Sequence, residues 1–235
     1  MLDRDTLLEL YRIDDRREGR VRVNFVSSID GAITRDGSSS GLNNEADKAV
    51  FDTLRALCDV IVVGAGTVRA EGYGGVRVSD ADAEWRIRHG LAPQPRVAIV
   101  SSSLDIEPTH AAFARAPVRA MVITHASAPA DRRAALGDVA DVLECGVDGI
   151  DMAARVEKLA LAGHPQILCE GGPRLIGALI EADRIDEMCV TVSPVLEGGD
   201  AGRMSRGAAL ASREMRLDHA VADGDTVFLR YSRAR

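Results

Sequence analysis

The sequence predicts an α/β fold with a mixed, mainly parallel central sheet, flanked by helices and ending in an antiparallel C-terminal hairpin. Three observations carry this expectation. Short runs of apolar, β-branched residues alternate with segments of helical period. Two of the apolar runs pass straight into a glycine turn and a new helix, at Gly64-Ala65-Gly66-Thr67 and at Gly171-Gly172-Pro173. The last two runs flank Asp223-Gly224, a two-residue hairpin turn. At 235 residues, with no internal repeat and no linker, the chain is expected to form one domain over 1–235, with residues 1–20 as a short extension before the first strand.

Val21 to Ser28 alternates and is rich in β-branched residues, so it reads as the first strand, and Asp30-Gly31 turns the chain at its end. After the Gly/Ser loop over 37–41, Asn43 or Asn44 caps a helix that carries Ala46, Val50, Phe51, Leu54 and Leu57 at helical spacing. Asp59 to Gly64 is a continuous apolar run, the pattern of a strand covered on both faces. Residues 73–95 are broken by Gly74-Gly75 and Pro93-Gln94-Pro95 and read as a long functional loop, within which 82–89 suits a short exposed helix. Arg96 to Val100, Val118 to Thr124 and Val139 to Cys145 are three further strands, with a helix near 132–136. Asp151 caps the clearest amphipathic helix, which runs to Ala162 with Ala154, Val156, Leu159 and Leu161 near its buried stripe. Gln166 to Cys169 feeds the second glycine turn, and Pro173 suits the first turn of the helix that ends at Ala182. Ile185 to Ser193, Arg213 to Val221 and Thr226 to Tyr231 complete the sheet.

Composition excludes several classes of function. The net charge of −7, from 29 basic and 36 acidic residues, argues against a nucleic-acid surface, which needs clustered positive charge. Aromatic residues make up 3%, too few for a base-stacking platform. No apolar run is long enough to cross a bilayer, and the first residues are charged of both signs without the order of a signal peptide. A soluble, cytoplasmic protein is expected. The four cysteines are far apart and the five histidines form no H-E-x-x-H pair, so buried thiols and no metal site are expected.

The candidate chemistry gathers at strand ends. Small residues at the two glycine turns let backbone amides approach a phosphate at a helix N-terminus, and two such turns together point to a dinucleotide. Neither matches G-x-G-x-x-G with an acid after the next strand, and the Walker lysine is missing. A carboxylate at the C-terminal end of a strand faces the usual ligand crevice of an open sheet. Asp30 and Glu170 are therefore candidates for binding polar groups or handling protons.

Taken together, Ser27-Ser28-Ile29-Asp30-Gly31, Leu54-Arg55-Ala56, Val63-Gly64-Ala65-Gly66-Thr67-Val68-Arg69 and Glu170-Gly171-Gly172-Pro173 resemble the pyrimidine reductases of riboflavin biosynthesis. The resemblance runs from Val21 to Tyr231. It implies a dihydrofolate-reductase-like fold, NADPH as cofactor, a homodimer, and reduction of the ribosyl group of 5-amino-6-(5-phosphoribosylamino)uracil to ribityl by hydride transfer to C1′. For this chain it implies cofactor contacts at Ser27, Gly64, Gly66, Thr67 and Ser101, with the pyrophosphate held by Gly171, Gly172, Pro173, Arg174 and Leu175. It implies substrate contacts at Asn24, Ser40, Arg55, Arg77 and Glu170, the two arginines as phosphate anchors, and it makes Asp30 and Glu170 the catalytic candidates.

The departures lie on the rim of the cofactor and substrate sites. Leu42 stands where many members have a Trp beside the nicotinamide, and Glu71-Gly72-Tyr73 replaces the usual Asp-x-Pro. The H-x-E and P-C-x-x-C motifs of a fused zinc deaminase are missing, so a separate deaminase is expected to supply the substrate. The altered rim leaves two alternatives open: an NADPH-dependent reductase of dihydrofolate or another pterin-like ring, and a non-catalytic NADPH-binding dimer. The dimer is expected to cover the sheet face that carries Val190, Val192, Val227 and Leu229.

Overall fold

The computed structural model describes residues 2–207 and 212–234. The chain opens with α1 (Arg4–Leu10), and β1 (Arg20–Ser28) then enters the sheet. Next come α2 (Glu45–Leu57), β2 (Val60–Gly64), α3 (Ala65–Ala70), α4 (Asp80–Arg88) and β3 (Arg96–Val100). A short α5 (Ala111–Ala114) leads to β4 (Ala120–Thr124), α6 (Ala130–Gly137) and β5 (Ala140–Glu144). The chain returns through α7 (Met152–Leu161), β6 (Gln166–Cys169), α8 (Pro173–Glu181) and β7 (Glu187–Ser193), and ends in the hairpin of β8 (Met215–Asp223) and β9 (Thr226–Arg233).

Among the described residues nine strands form one sheet in the order β5-β4-β3-β2-β6-β1-β7-β9-β8. Every pairing from β5 to β7 is parallel, and β9 runs antiparallel to both β7 and β8. The predicted α/β class, with its closing hairpin, is the observed one. β1 lies in the middle, paired with two strands that are made late in the chain.

β2 shows how the sheet divides the core. Its run Val-Ile-Val-Val has no polar side because both of its faces are covered. Val60 and Val62 pack with Val21, Val23, Leu159 and Leu179 beneath α7 and α8. Ile61 and Val63, displaced by one residue, join Leu54, Leu57, Leu7 and Tyr11 beneath α1 and α2. The extension before β1 is thus part of the core, because Leu7 and Tyr11 have their apolar surface buried there.

Two expectations change. The short helix expected within the long loop is α4, exposed on its outer face as expected but anchored from its inner one: Arg86 is buried and donates to the carbonyls of Ala56 at 2.8 Å, Cys58 at 2.6 Å and Ala92 at 2.8 Å. Those bonds satisfy the last carbonyls of α2, which reading for apolar period cannot see. In α7 the stripe is also rotated. Asp151 caps the helix as expected and Leu159 is buried, but Leu161 is exposed and Arg155 is inside.

Candidate active site

The two glycine turns that lie far apart in the sequence meet in space, because β2 and β6 are neighbouring parallel strands. The Gly64 amide donates to the Gly171 carbonyl at 2.8 Å. A Cβ on Gly172 would lie 2.5 Å from Thr67 Oγ1, so only glycine lets the second turn close over the first. The Gly171–Gly172 peptide is cis. Gly172 caps α8 without a side chain, which leaves the positive end of that helix open.

A cavity of about 830 Å³ runs along this junction. It is lined by Gly64, Gly66, Thr67, Glu71 and Ser101 from the first turn and its neighbours, and by Gly172, Pro173, Arg174 and Leu175 from the second. Arg69 and Arg206 add positive charge to its wall. A second cavity, of about 200 Å³, opens between the end of β1 and α2 and is lined by Asn24, Phe25, Asp47, Phe51 and Glu170. Ile33, Thr34, Thr67, Glu71, Gly172 and Pro173 line both, so two ligands would touch at that seam.

Glu71 fastens the Gly/Ser loop to the seam. Its carboxylate accepts from Ser38 Oγ at 2.9 Å and from the Ser39 hydroxyl and amide, each at 3.2 Å. Glu170, at the end of β6, is bound through both oxygens to Arg55, with Nε–Oε1 at 2.7 Å and Nη2–Oε2 at 2.8 Å. The same guanidinium donates to the Tyr73 hydroxyl at 3.1 Å and lies 4.0 Å over the Phe51 ring. Burial works to lower the Arg55 pKa, and the attraction of Glu170 outweighs it and raises it.

Several residues expected in the site stand elsewhere. Arg55 lines neither cavity and commits its Nε and Nη2 to Glu170 and Tyr73. Arg77 is exposed and lines neither cavity, since it lies between the inward-facing Val76 and Val78 and is thrown outward. Ser40 is exposed, and its neighbour Ser39 faces the small cavity instead. Leu42 is 1% exposed and belongs to the core rather than to the rim. Ser27 is buried and lines neither cavity, and the Gly171 carbonyl is used in joining the two turns.

Asp30 does not face either cavity, and its bonds suit a structural tie rather than a proton relay. It accepts from Ser28 Oγ, from the Gly198 amide at 2.7 Å and from the Glu197 amide at 3.2 Å, which pins the loop after β7 to the β1 turn. Those hydrogen bonds, the Ser28 hydroxyl first, hold its pKa down to about 2, so it stays ionised at neutral pH.

Asp47 was missed in the sequence, although a signal for it exists. With Val50, Leu54 and Leu57 it falls on one buried face of α2, a carboxyl inside an apolar stripe. Asn44 caps that helix by accepting from the Asp47 amide at 2.9 Å, and its own amide donates to Thr226 Oγ1 at 2.7 Å.

The sequence model of the RibD C-terminal domain family matches residues 20–229, which include both glycine turns and every strand that lines the cavities. The chain belongs to the RibD C-terminal domain family. It is 31% identical over 180 residues, 76% of its own length and 82% of the relative's, to a 2,5-diamino-6-ribosylamino-4(3H)-pyrimidinone 5′-phosphate reductase of Archaeoglobus fulgidus. Its fold matches a pyrimidine reductase-like protein from Corynebacterium diphtheriae with a TM-score of 0.82, at 22% identity and over 97% and 98% of the two chains. A dihydrofolate reductase from Enterococcus faecalis shares the fold of this RibD-type domain with a TM-score of 0.53, at 12% identity and over 93% and 98% of the two chains.

Proposed function

We propose that this chain reduces the ribosyl group of a phosphorylated ribosylaminopyrimidine to ribityl, with NADPH as the reductant. The observation that carries the proposal is the pair of cavities sharing one seam, the larger lined by glycines and arginines and the smaller by aromatic and acidic side chains. The reductase relative of Archaeoglobus fulgidus supports the same chemistry.

The residues of the larger cavity fit a dinucleotide. Gly66 leaves open space where a side chain would stand, the N-terminus of α8 is uncapped by any side chain, and Arg69, Arg174 and Arg206 supply charge for phosphates. When bound, NADPH supplies a hydride. The chain's own share is alignment and exclusion of water. Glu71 holds the Gly/Ser loop against the seam, and Thr67 fixes the second glycine turn by filling the space beside Gly172. Arg55 holds Glu170 rigid at the edge of the small cavity, where its remaining lone pairs can accept from a ribose hydroxyl. Phe25 and Phe51 give the ring an apolar wall.

The test is the loss of NADPH absorbance when purified protein meets a phosphorylated ribosylaminopyrimidine, with dihydrofolate in parallel. Oxidation with the pyrimidine supports the proposal. Oxidation with dihydrofolate alone would move the chain to pterin reduction, and NADPH binding with no oxidation by either would leave a binding protein.

A further inference from the structure

Lys48 is the one basic side chain among the described residues that line the small cavity, and the reduction as described above does not use it. The same wall carries the carboxyl groups of Asp47, Glu71 and Glu170. A phosphate monoester bears about −1.5 to −2 charge at neutral pH, so a substrate that carries one needs a cation beside it to enter such a pocket. Arg55 and Arg77, the two arginines expected to supply that cation, line neither cavity.

Position and partner both suit Lys48 to the task. It stands in the first turn of α2, and Phe51, three residues on, lies on the same side of the helix and lines the cavity with it. A ring resting on Phe51 and a phosphate at Lys48 would thus lie along one helix face. Asn43, just before the helix, lines the cavity too and offers an amide donor. The protein partner of Lys48 is Asp52, one turn further along α2, whose carboxylate accepts from the ammonium. The two side chains are 68% and 44% exposed. An exposed pair at this spacing is weak because water screens it, so a dianion can draw the ammonium away from a single carboxylate. Arg55, held through two bonds by the buried Glu170, has no such freedom.

We propose that Lys48 anchors the phosphate of the ribosylaminopyrimidine, exchanging its contact with Asp52 for the phosphate oxygens, and so sets a preference for the phosphorylated substrate over its dephosphorylated form. The proposal rests on the site being that of a pyrimidine reductase. Lys48 touches the substrate far from the bond that changes, so its contact is made equally before and during hydride transfer. Its loss should fall on KM rather than on kcat. Asp52 acts as the competitor: it holds the ammonium at the helix surface until a phosphate arrives.

Direct binding separates this proposal from the reduction it rests on. Cofactor-free protein is titrated calorimetrically with a phosphorylated ribosylaminopyrimidine and with the same compound after removal of its phosphate, and the first should bind roughly tenfold tighter or more. Lys48→Met keeps the length of the side chain without its charge, and should bring the two Kd values within about threefold of each other by weakening the first. Lys48→Arg should keep most of the preference. Asp52→Asn frees the ammonium and should tighten binding of the phosphorylated compound about two- to threefold while leaving the other unchanged, a gain that a merely structural pair would not give. Equal affinities in the unsubstituted protein, or a preference that survives Lys48→Met, overturn the proposal. A preference that depends on Lys48 in a protein that oxidises no NADPH keeps the anchor and removes the reduction. NADPH oxidation with a KM unmoved by Lys48→Met keeps the reduction and removes the anchor.

Discussion

Two carboxyl groups are buried against β7 in opposite ways. Glu187, at its start, has a side chain 1% exposed and is enclosed by arginines: Arg20 at 2.7 Å, Arg22 at 2.7 Å and Arg230 at 3.1 Å. Asp47, over the middle of the strand, is 6% exposed and has a hydroxyl for company. Burial raises the pKa of both. For Glu187 the attraction of Arg22 and Arg230 outweighs burial and holds it at about 2, whereas for Asp47 burial prevails. Where the protein supplies every partner, the charge serves the fold. Where it withholds them, burial favours the neutral acid.

The largest expected effect breaks the first half of that contrast. Glu187→Ala strands three guanidinium groups around an empty position and should cost about 3–5 kcal/mol in a urea unfolding titration. The pH dependence of unfolding sharpens it. The Glu187 pKa falls from 4.5 to about 2 on folding, so its contribution, on the order of 3 kcal/mol, is complete above pH 4.5 and is lost as the pH falls towards 2. Stability that stays level between those limits would show that the arginines do not hold this carboxylate.

Asp47 should behave in the reverse sense. Its folded pKa is raised above 3.8, so the fold favours the neutral acid, and that advantage is present below 3.8 and lost as the pH rises through the raised value. Asp47→Asn should therefore be neutral or stabilising at pH 7, by about 1 kcal/mol. A marked loss of stability in this variant would make Asp47 a scaffold residue like Glu187. The smallest effect concerns a third carboxylate. Asp30→Asn keeps an acceptor for Gly198 and should leave the pH profile of kcat unchanged, whereas a lost acidic or basic limb would restore Asp30 as a proton carrier.

Legibility in the sequence follows the same division. Apolar period and turn residues mark β1, β2, α2, both glycine turns and the closing hairpin, because those features answer to local rules. The meeting of the two turns follows from the adjacency of β2 and β6, and two strand-glycine-helix units suffice to suggest it. Arg86, Arg155, Asp47 and Glu187 are illegible to such rules, because polar side chains at buried positions are placed by partners distant in the chain. Arg22 and Glu187 are 165 residues apart. The pairing of Arg55 with Glu170 is illegible for the same reason, since 115 residues separate them and only the fold brings them together.

The central place of β1 has a consequence for the order in which the protein can assemble. When β1 leaves the ribosome, neither strand that flanks it has been made, and the carboxylate that binds the Val21 amide follows 165 residues later. Thr191, which is bonded to Asp47, and Thr226, which is bonded to Asn44, come later still. A nascent chain halted before β7 would hold every residue that lines the small cavity but lack the strand that pairs with β1 beside it, so folding of this site is expected to wait for the end of synthesis and to proceed slowly for its size.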